Sequence, residues 1–382
     1  MERTLNIAIV GYGIAGIAAA IHLRRLGHSI THFERSDPPI ACGAGMLMHS
    51  PAMRQLKLLG VLDAALERGA TVRRIAAKTI EGRSLLDFSY GDFMDGQCGL
   101  GIQRGTLHRL LSEADSGRGQ VHAGRKIVAA ESNDGLISDD QHVRHGPFDL
   151  IVAADGAQSP IRKQLFRANT QDRLAESAAL VGLLDDPQRL AADQLMQYFD
   201  SARHLSVWPV GTAYSGDANR CSFAINVPLG EVEAIHDSGT WRSVSTRLWP
   251  AMRALIRDVQ DNDLHVFTYR DVEVAQPFLG RVVLIGDAAH SMSPQLGTGA
   301  QLAMEDAATL ANAIAQHSNV PDALLAYTTI RRPQLQRYHL ASRWLTPLFQ
   351  SDNRAMSFVR NHLFANAMNL PAVRQLAHAL LS

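Results

Sequence analysis

The chain of 382 residues carries 37 Lys and Arg against 37 Asp and Glu, so its formal net charge is zero and nothing electrostatic recruits nucleic acid or an anionic membrane surface. Its hydrophobic content of 46% and charged content of 19% are those of an ordinary globular protein, long enough for about two domains. Cys42, Cys98 and Cys221 are scattered without CxxC spacing and the 16 histidines form no HExxH set, which argues against disulfides and metal and fits a reducing cytoplasm.

The chain opens on NIAIVGYGIAG. The pattern predicts a buried strand over Ile7–Val10, a turn through Gly11, Gly13 and Gly16, and a helix from Ile14 to about Leu26, small-residue-rich at Ala15, Ala18, Ala19 and Ala20. A second strand, Ser29–Phe33, ends on Glu34. Strand, GxGxxG, helix, strand and terminal acid form the dinucleotide-binding fingerprint. Gly11 permits the tight turn, Gly13 admits a pyrophosphate, and Gly16 lets the helix lie close. The helix N-terminus offers free N–H groups to phosphate. Glu34 suits ribose hydroxyls and repels a 2′-phosphate, so the first cofactor is FAD or NAD and not NADP. Leu5–Leu23 carries no charged residue, but it is broken by glycine and lacks the n-region and cleavage pattern of a signal segment.

Further on, Cys42–Met48 reads as a glycine-rich turn into a short strand, and Ser50–Leu59 as an amphipathic helix with Pro51 in its first turn. Val72–Tyr90 alternates as one or two strands. Gly99–Gln103 is a strand leading to Arg104 and a helix with Leu107, Leu110 and Leu111 on one face. Val121–Ala130 and Gly135–Ser138 read as hairpin strands, and Phe148–Ala154 as a buried strand before Asp155-Gly156. From about Ala178 to Val274 short strands dominate, with a helical piece near Trp241–Val259, and an antiparallel sheet is expected. Arg281–Ile285 is a buried strand running into Gly286-Asp287-Ala288-Ala289-His290, and a long helix follows from Ala300. The tail from Asp322 reads as docking helices broken at Pro347 and Pro371, with no stretch long enough to span a membrane.

Three features matter jointly: Arg104 after an apolar strand, the Asp155-Gly156-Ala157-Gln158-Ser159-Pro160-Ile161-Arg162 segment, and the Gly286–His290 turn with Pro294, Gly297 and Gly299 downstream. In this order behind the N-terminal fingerprint, they resemble the single-component FAD-dependent aromatic monooxygenases, the para-hydroxybenzoate hydroxylase family, over Ile7 to about Phe349. The resemblance implies an α/β fold: a three-layer, Rossmann-like FAD-binding domain (1–72, 99–172 and 276–320), an inserted, mainly antiparallel β-sheet substrate domain (73–98 and 173–275) and C-terminal helices (321–382).

It also implies roles. Gly11, Gly13, Ala15, Gly16, Glu34 and Arg35 would hold the ADP half of FAD, with Gly45 nearby. Arg104 would reach the pyrophosphate or ribityl chain, Ile127 or Val128 the adenine, Asp155 the FAD and NAD(P)H, and Asp287 a ribityl hydroxyl. Gly297, Gly299, Ala300 and Gln301 would offer a helix N-terminus to the flavin pyrimidine edge, where reduced flavin is negative. Two departures stand out. Gln301 replaces the usual Asn, and the turn at Gly43–Met46 lacks an often-present Arg, so phosphate neutralisation leans on Arg104. The implied chemistry is oxygen insertion. NAD(P)H reduces FAD transiently in the cleft, O2 adds to the reduced flavin, and one oxygen atom hydroxylates or epoxidises an electron-rich small molecule. Met46, Met48, Trp208, Pro209 and Pro294 are candidates for the substrate face, Met46, Met48 and Trp208 being equally suited to core packing, and His49 is a candidate base that could equally be a surface residue at a helix start. A flavin halogenase, whose WxWxIP segment is missing, and a non-oxygenating cyclase or escort protein are the alternatives. The substrate, NADH or NADPH preference, a separate reductase and oligomeric state stay open, a homodimer being compatible.

Overall fold

The computed structural model describes residues 4–39, 43–92, 98–115, 121–186, 189, 191–200, 203–257, 259–260, 263–350 and 354–364. Six strands form the main sheet in the order 278–279, 282–284, 150–153, 6–10, 29–33 and 121–122. All neighbours run parallel except the antiparallel 278–279 edge. The central strands NIAIV, LIVA and VVL are almost wholly buried, as expected of strands covered on both faces. Period-two alternation divides them. Ile7, Ile9, Leu150 and Val152 join a core with helices Ile14–Arg25 and Gly299–Gln316. Ala8, Val10, Ile151 and Ala153 instead pack on Phe148 and on Ile127 and Ile137 of a small sheet formed by strands 127–131, 136–139 and 144–145. The result is three layers.

A second sheet has seven strands, in the order 265–274, 170–185, 220–228, 203–211, 194–200, 74–79 and 84–89. Its pairings are antiparallel except that 194–200 lies parallel to 74–79. The outer face is sealed by Val232–Asp237, Trp241–Leu248 and Met252–Leu255, where Trp241 stacks on Phe223. The inner face turns to the main domain across the strand Gly45–Met48, whose Gly45 N–H donates to Ser222 Oγ at 2.9 Å.

Three expectations change. Val121–His122 pairs with the strand 29–33 instead of forming the hairpin, and the antiparallel partner of 136–139 is Ile127–Glu131. The strand 194–200, unforeseen in the sequence, completes the second sheet. The tail is not broken at Pro347: one helix runs Val320–Gln350 through Pro333 and Pro347. Leu335, Tyr338, Ala341 and Leu345 form a stripe against Leu296 and Leu302, and this burial outweighs the lost backbone bonds. Cys42 and Pro371 lie outside the described residues. Cys98 and Cys221 are free thiols. Among the described residues no helix is long and apolar enough to cross a membrane, and no cluster of His, Cys, Asp or Glu could hold a metal ion.

Candidate functional site

The glycine turn sits where the first strand meets the first helix. Gly11 has φ +102°, and a Cβ there would lie 2.3 Å from the Ala154 carbonyl oxygen. A Cβ on Gly16 would lie 2.0 Å from Gly11 O, so this glycine is demanded by the turn folding onto its own helix. Gly13 is different: a Cβ there meets nothing within 4 Å, which leaves open ground before the helix. That helix has no side-chain cap and no acid in its first turn, so its N–H groups are free to meet an anion. Glu34 accepts from Tyr12 N–H at 2.8 Å and from Ser36 N–H at 2.9 Å. It braces the turn and keeps spare lone pairs for hydroxyl donors. Arg35 beside it is exposed.

Gly286 (φ +57°) brings the second turn against the first: its Cβ would lie 3.0 Å from Ala15 Cβ. Asp287 follows, exposed and without a partner among the described residues. Its turn is held from behind by Asp306, which accepts from Gly286 N–H at 2.8 Å, from His290 Nε2 at 2.5 Å and from Arg331 Nε at 2.7 Å. Burial alone would raise the Asp306 carboxyl, but His290 and Arg331 override it and hold it at about 2. Arg331 also donates to Glu305 at 2.9 Å, and Glu305 accepts from Gln301 Nε2 at 2.9 Å. Buried Arg162 ties the remaining motif in, donating to Ala157 O, Ala288 O and Asp172 at 2.5, 3.0 and 2.9 Å. Asp306, Arg331 and the anchoring by Arg162 escaped the sequence reading. A charge on the buried face of the helix at Leu302–Ala303–Ala307–Leu310 was the available signal, since such a charge must be paired.

The loop between Pro294 and Gln301 is the most ligand-hungry stretch. Gln295 Nε2 and Oε1, Thr298 Oγ1 and Gln301 Oε1 are all buried without a hydrogen-bond partner. The helix they lead into has no side-chain cap and no acid in its first turn. Pro294, Gly297 and Gly299 are exposed and Ala300 half-buried. Asp155 adds two more orphaned carboxylate oxygens. Burial pushes its carboxyl up to about 6, opposed by the nearby Ser159 hydroxyl and Arg162 charge. Arg104 begins its helix with N–H bonded to Ala44 O at 2.8 Å, and its guanidinium has no partner among the described residues.

Several candidates are placed differently from expectation. Met48 is 2% exposed in the core of the main domain and Met46 packs on the same core. Strand alternation sends Gly45 and Leu47 toward the second sheet instead. Gly45 serves close packing, not cofactor approach: its Cβ would lie 2.4 Å from Val210 Cγ1 and 2.6 Å from Ser222 Cβ. Ile127 is buried in the core, so its half-exposed neighbour Val128 is the one that faces outward. Trp208 lies on the inner face of the second sheet with Val210 and Ala224. Pro209 is buried where its carbonyl backs onto Gly101.

His49 is buried, not a surface residue. Its Nδ1 lies 2.6 Å from Tyr90 Oη and its ring also bonds the Leu296 backbone. With Nε2–H given to the carbonyl, Nδ1 accepts from tyrosine. Burial pulls the imidazole down to about 4. A general base needs a free lone pair, and here both nitrogens are used, so the geometry is that of a clamp on the 294–297 turn.

Open ground at Gly13, a free Asp287, two uncapped helix ends and a row of orphaned polar atoms fit FAD from phosphates to pyrimidine. Comparison with known proteins agrees. Residues 4–341 match the protein family described as FAD binding domain. The chain is 27% identical over 372 residues to the aurachin C monooxygenase/isomerase of Stigmatella aurantiaca, covering 95% of this chain and 94% of that protein. It is 27% identical over 349 residues to the FAD-dependent urate hydroxylase of Klebsiella pneumoniae, covering 89% of each. The fold matches Klebsiella pneumoniae HpxO complexed with FAD and uric acid with a TM-score of 0.83 at 24% identity, over 98% of this chain and 97% of the other. It also matches 2-methyl-3-hydroxypyridine-5-carboxylic acid oxygenase with a TM-score of 0.78 at 21% identity, over 96% and 98%. The chain therefore belongs to the FAD-binding-domain family, in its para-hydroxybenzoate hydroxylase-like branch of FAD-dependent monooxygenases.

Proposed function

We propose that this monooxygenase takes electrons from transiently docked NAD(P)H and inserts one atom of O2 into a small electron-rich aromatic molecule. The substrate would lie between the 294–301 loop and the inner face of the second sheet. FAD, when bound, supplies the electron transfer and oxygen activation. The observation that carries the reading is the cluster of orphaned polar atoms on Gln295, Thr298 and Gln301 beside an uncapped helix N-terminus. Those groups bind a polar ring edge, and the helix end favours negative charge there. Gly11, Gly13, Gly16 and Glu34 hold the nucleotide half, with Ala15 closing the turn and Arg35 at its rim. Arg104 neutralises phosphate, Asp287 accepts from a ribityl hydroxyl, and Val128 takes the adenine. Relatives acting on urate or on 3-amino-4-hydroxybenzoate support an aromatic ring as substrate. Scattered cysteines suit a cytoplasmic enzyme, and a homodimer is the assembly to test by sedimentation.

Asp287→Ala tests the reading. It should weaken FAD binding, costing about 1–3 kcal/mol for the lost acceptor, and raise hydrogen peroxide released per NAD(P)H oxidised at saturating FAD, because misplacement costs more in rate than in binding. Unchanged affinity, measured by flavin fluorescence, together with an unchanged peroxide ratio would remove Asp287 from the site.

A further inference from the structure

The inner face of the second sheet is one continuous grid, and its chemistry names a substrate class. Gly45 and Gly43 show that this face looks at the cofactor half: a Cβ on Gly45 would touch Val210 and Ser222, and one on Gly43 would lie 3.1 Å from Phe267 and 3.2 Å from the Arg104 δ-carbon. The register then fixes what lies side by side. Val181 pairs with Ala224, Ala224 with Ser206, and Ser206 with Gln197. In the next row Leu183 pairs with Ser222 and Ser222 with Trp208. Val181, Leu183 and Leu195 are half-buried and pack with Trp208, Val210 and Ala224 as a separate apolar cluster.

The polar groups on this grid satisfy one another. Gln197 Nε2 donates to Ser206 Oγ at 3.0 Å, Tyr269 Oη donates to Asn226 at 3.0 Å, and Ser222 Oγ takes the Gly45 N–H. The charges are at the margins and matched: Arg220 lies 2.9 Å from Asp185, and Arg270 lies 2.7 Å from Asp172. In the two inner-face rows Val181–Ala224–Ser206–Gln197 and Leu183–Ser222–Trp208 no residue is charged. In those two rows one donor is left over, Trp208 Nε1–H, buried and without a partner among the described residues, while His204 Nδ1 beside Asn226, one row on, is likewise unpartnered.

Resting on the oxygenase reading above, we infer that the substrate is an uncharged aromatic ring carrying a hydrogen-bond acceptor such as a keto oxygen, and not an aromatic carboxylate. A carboxylate set on these two rows would be desolvated with no counter-charge in them, since the nearby Arg104 is assigned to the cofactor phosphates. A neutral ring meets apolar side chains, and its acceptor matches the spare indole donor of Trp208.

The test uses matched pairs on the FAD-loaded enzyme: 2-methyl-4(1H)-quinolone against 4-oxo-1,4-dihydroquinoline-2-carboxylate, and 2-aminoacetophenone against 2-aminobenzoate. Affinity is read by equilibrium dialysis, independently of turnover. The neutral member of each pair should bind at least about tenfold more tightly, the effect of one unpaired polar burial. Val181→Lys, which adds a cation at a half-exposed grid position, should narrow or reverse the preference. Trp208→Phe should weaken the neutral members and leave the carboxylates unchanged. Equal affinity, preference for a carboxylate, or binding of neither member in both pairs overturns the inference. Oxygen-dependent NAD(P)H oxidation without any aromatic ligand is measured alongside. Its absence with the expected binding order would strike the oxygenase reading and leave the substrate class standing.

Discussion

Replacing Arg331 by Met should be among the most damaging single changes outside the glycine turn. The guanidinium is buried and makes four contacts: Asp306 at 2.7 Å, Glu305 at 2.9 Å, Gln334 at 2.5 Å and the Leu302 carbonyl at 3.1 Å. Methionine has similar length, so cavity formation is a minor cost and the electrostatic one dominates. Asp306 keeps Gly286 N–H and His290 on one oxygen and loses its partner on the other. Removing one member of a buried ion pair costs about 3–5 kcal/mol, because the remaining carboxylate loses its permanent counter-charge and keeps only His290 and the Gly286 N–H. Urea denaturation of the FAD-free protein at pH 7 should show an unfolding free energy lower by that amount, read as a lower midpoint at unchanged slope. Adding Asp306→Asn to Arg331→Met should recover part of the loss, so that the double variant is more stable than additivity predicts. The pH dependence follows from the same pair. The wild-type Asp306 carboxyl is held at about 2 against an ordinary 3.8, so its stabilisation is complete above pH 4 and disappears as pH falls toward 2. A loss under about 1 kcal/mol, or strict additivity with Asp306→Asn, would refute the claim that Arg331 neutralises a buried charge.

Two further outcomes are expected. The Asp155 carboxyl is raised from 3.8 to about 6, so the unfolded chain ionises first and the fold loses stability as pH rises through that window; Asp155→Asn should therefore raise the unfolding free energy of the FAD-free protein at pH 7.5 by up to about 3 kcal/mol, read as a higher Tm, and change it little at pH 4. Identical shifts at both pH values would show that burial of this charge is not what the substitution relieves. His49→Phe should weaken FAD binding about fivefold through loss of the hold on the 294–297 turn, while the kcat/KM profile between pH 6 and 8 keeps its shape because His49 stays neutral there. Disappearance of an acidic limb near pH 6.5 would reinstate His49 as a base.

Residues with local reasons were legible. Gly11, Gly16 and Glu34 occupy the turn geometry their spacing implied, because strand, turn and helix fall within one short segment. The parallel strands were legible because burial on both faces writes an apolar run. Met46 and Met48 were harder. Which side of a four-residue strand faces the substrate depends on register with Gly99–Gln103, and a one-residue difference exchanges the faces. The helix through Pro347 was hidden because the burial holding it comes from Leu296 and Leu302, outside its own sequence. His49 looked exposed at a helix start, and only Tyr90 and Leu296 arriving from elsewhere in the chain bury it.

The order of strands in the main sheet has a consequence for how the enzyme is made. The fingerprint at Gly11–Gly16 leaves the ribosome first, yet the strand beneath it is flanked by 150–153, and 282–284 lies beyond that. The carbonyl against which Gly11 is fitted belongs to Ala154, and the carboxylate holding the Asp287 turn belongs to Asp306. Long-range pairings of this kind form late. A nascent chain halted before that point displays a finished motif on an unfinished platform. Flavin capture is thus tied to synthesis of the chain through Asp306, and a shorter nascent chain is kept from holding a redox-active group that it could not yet shield from water.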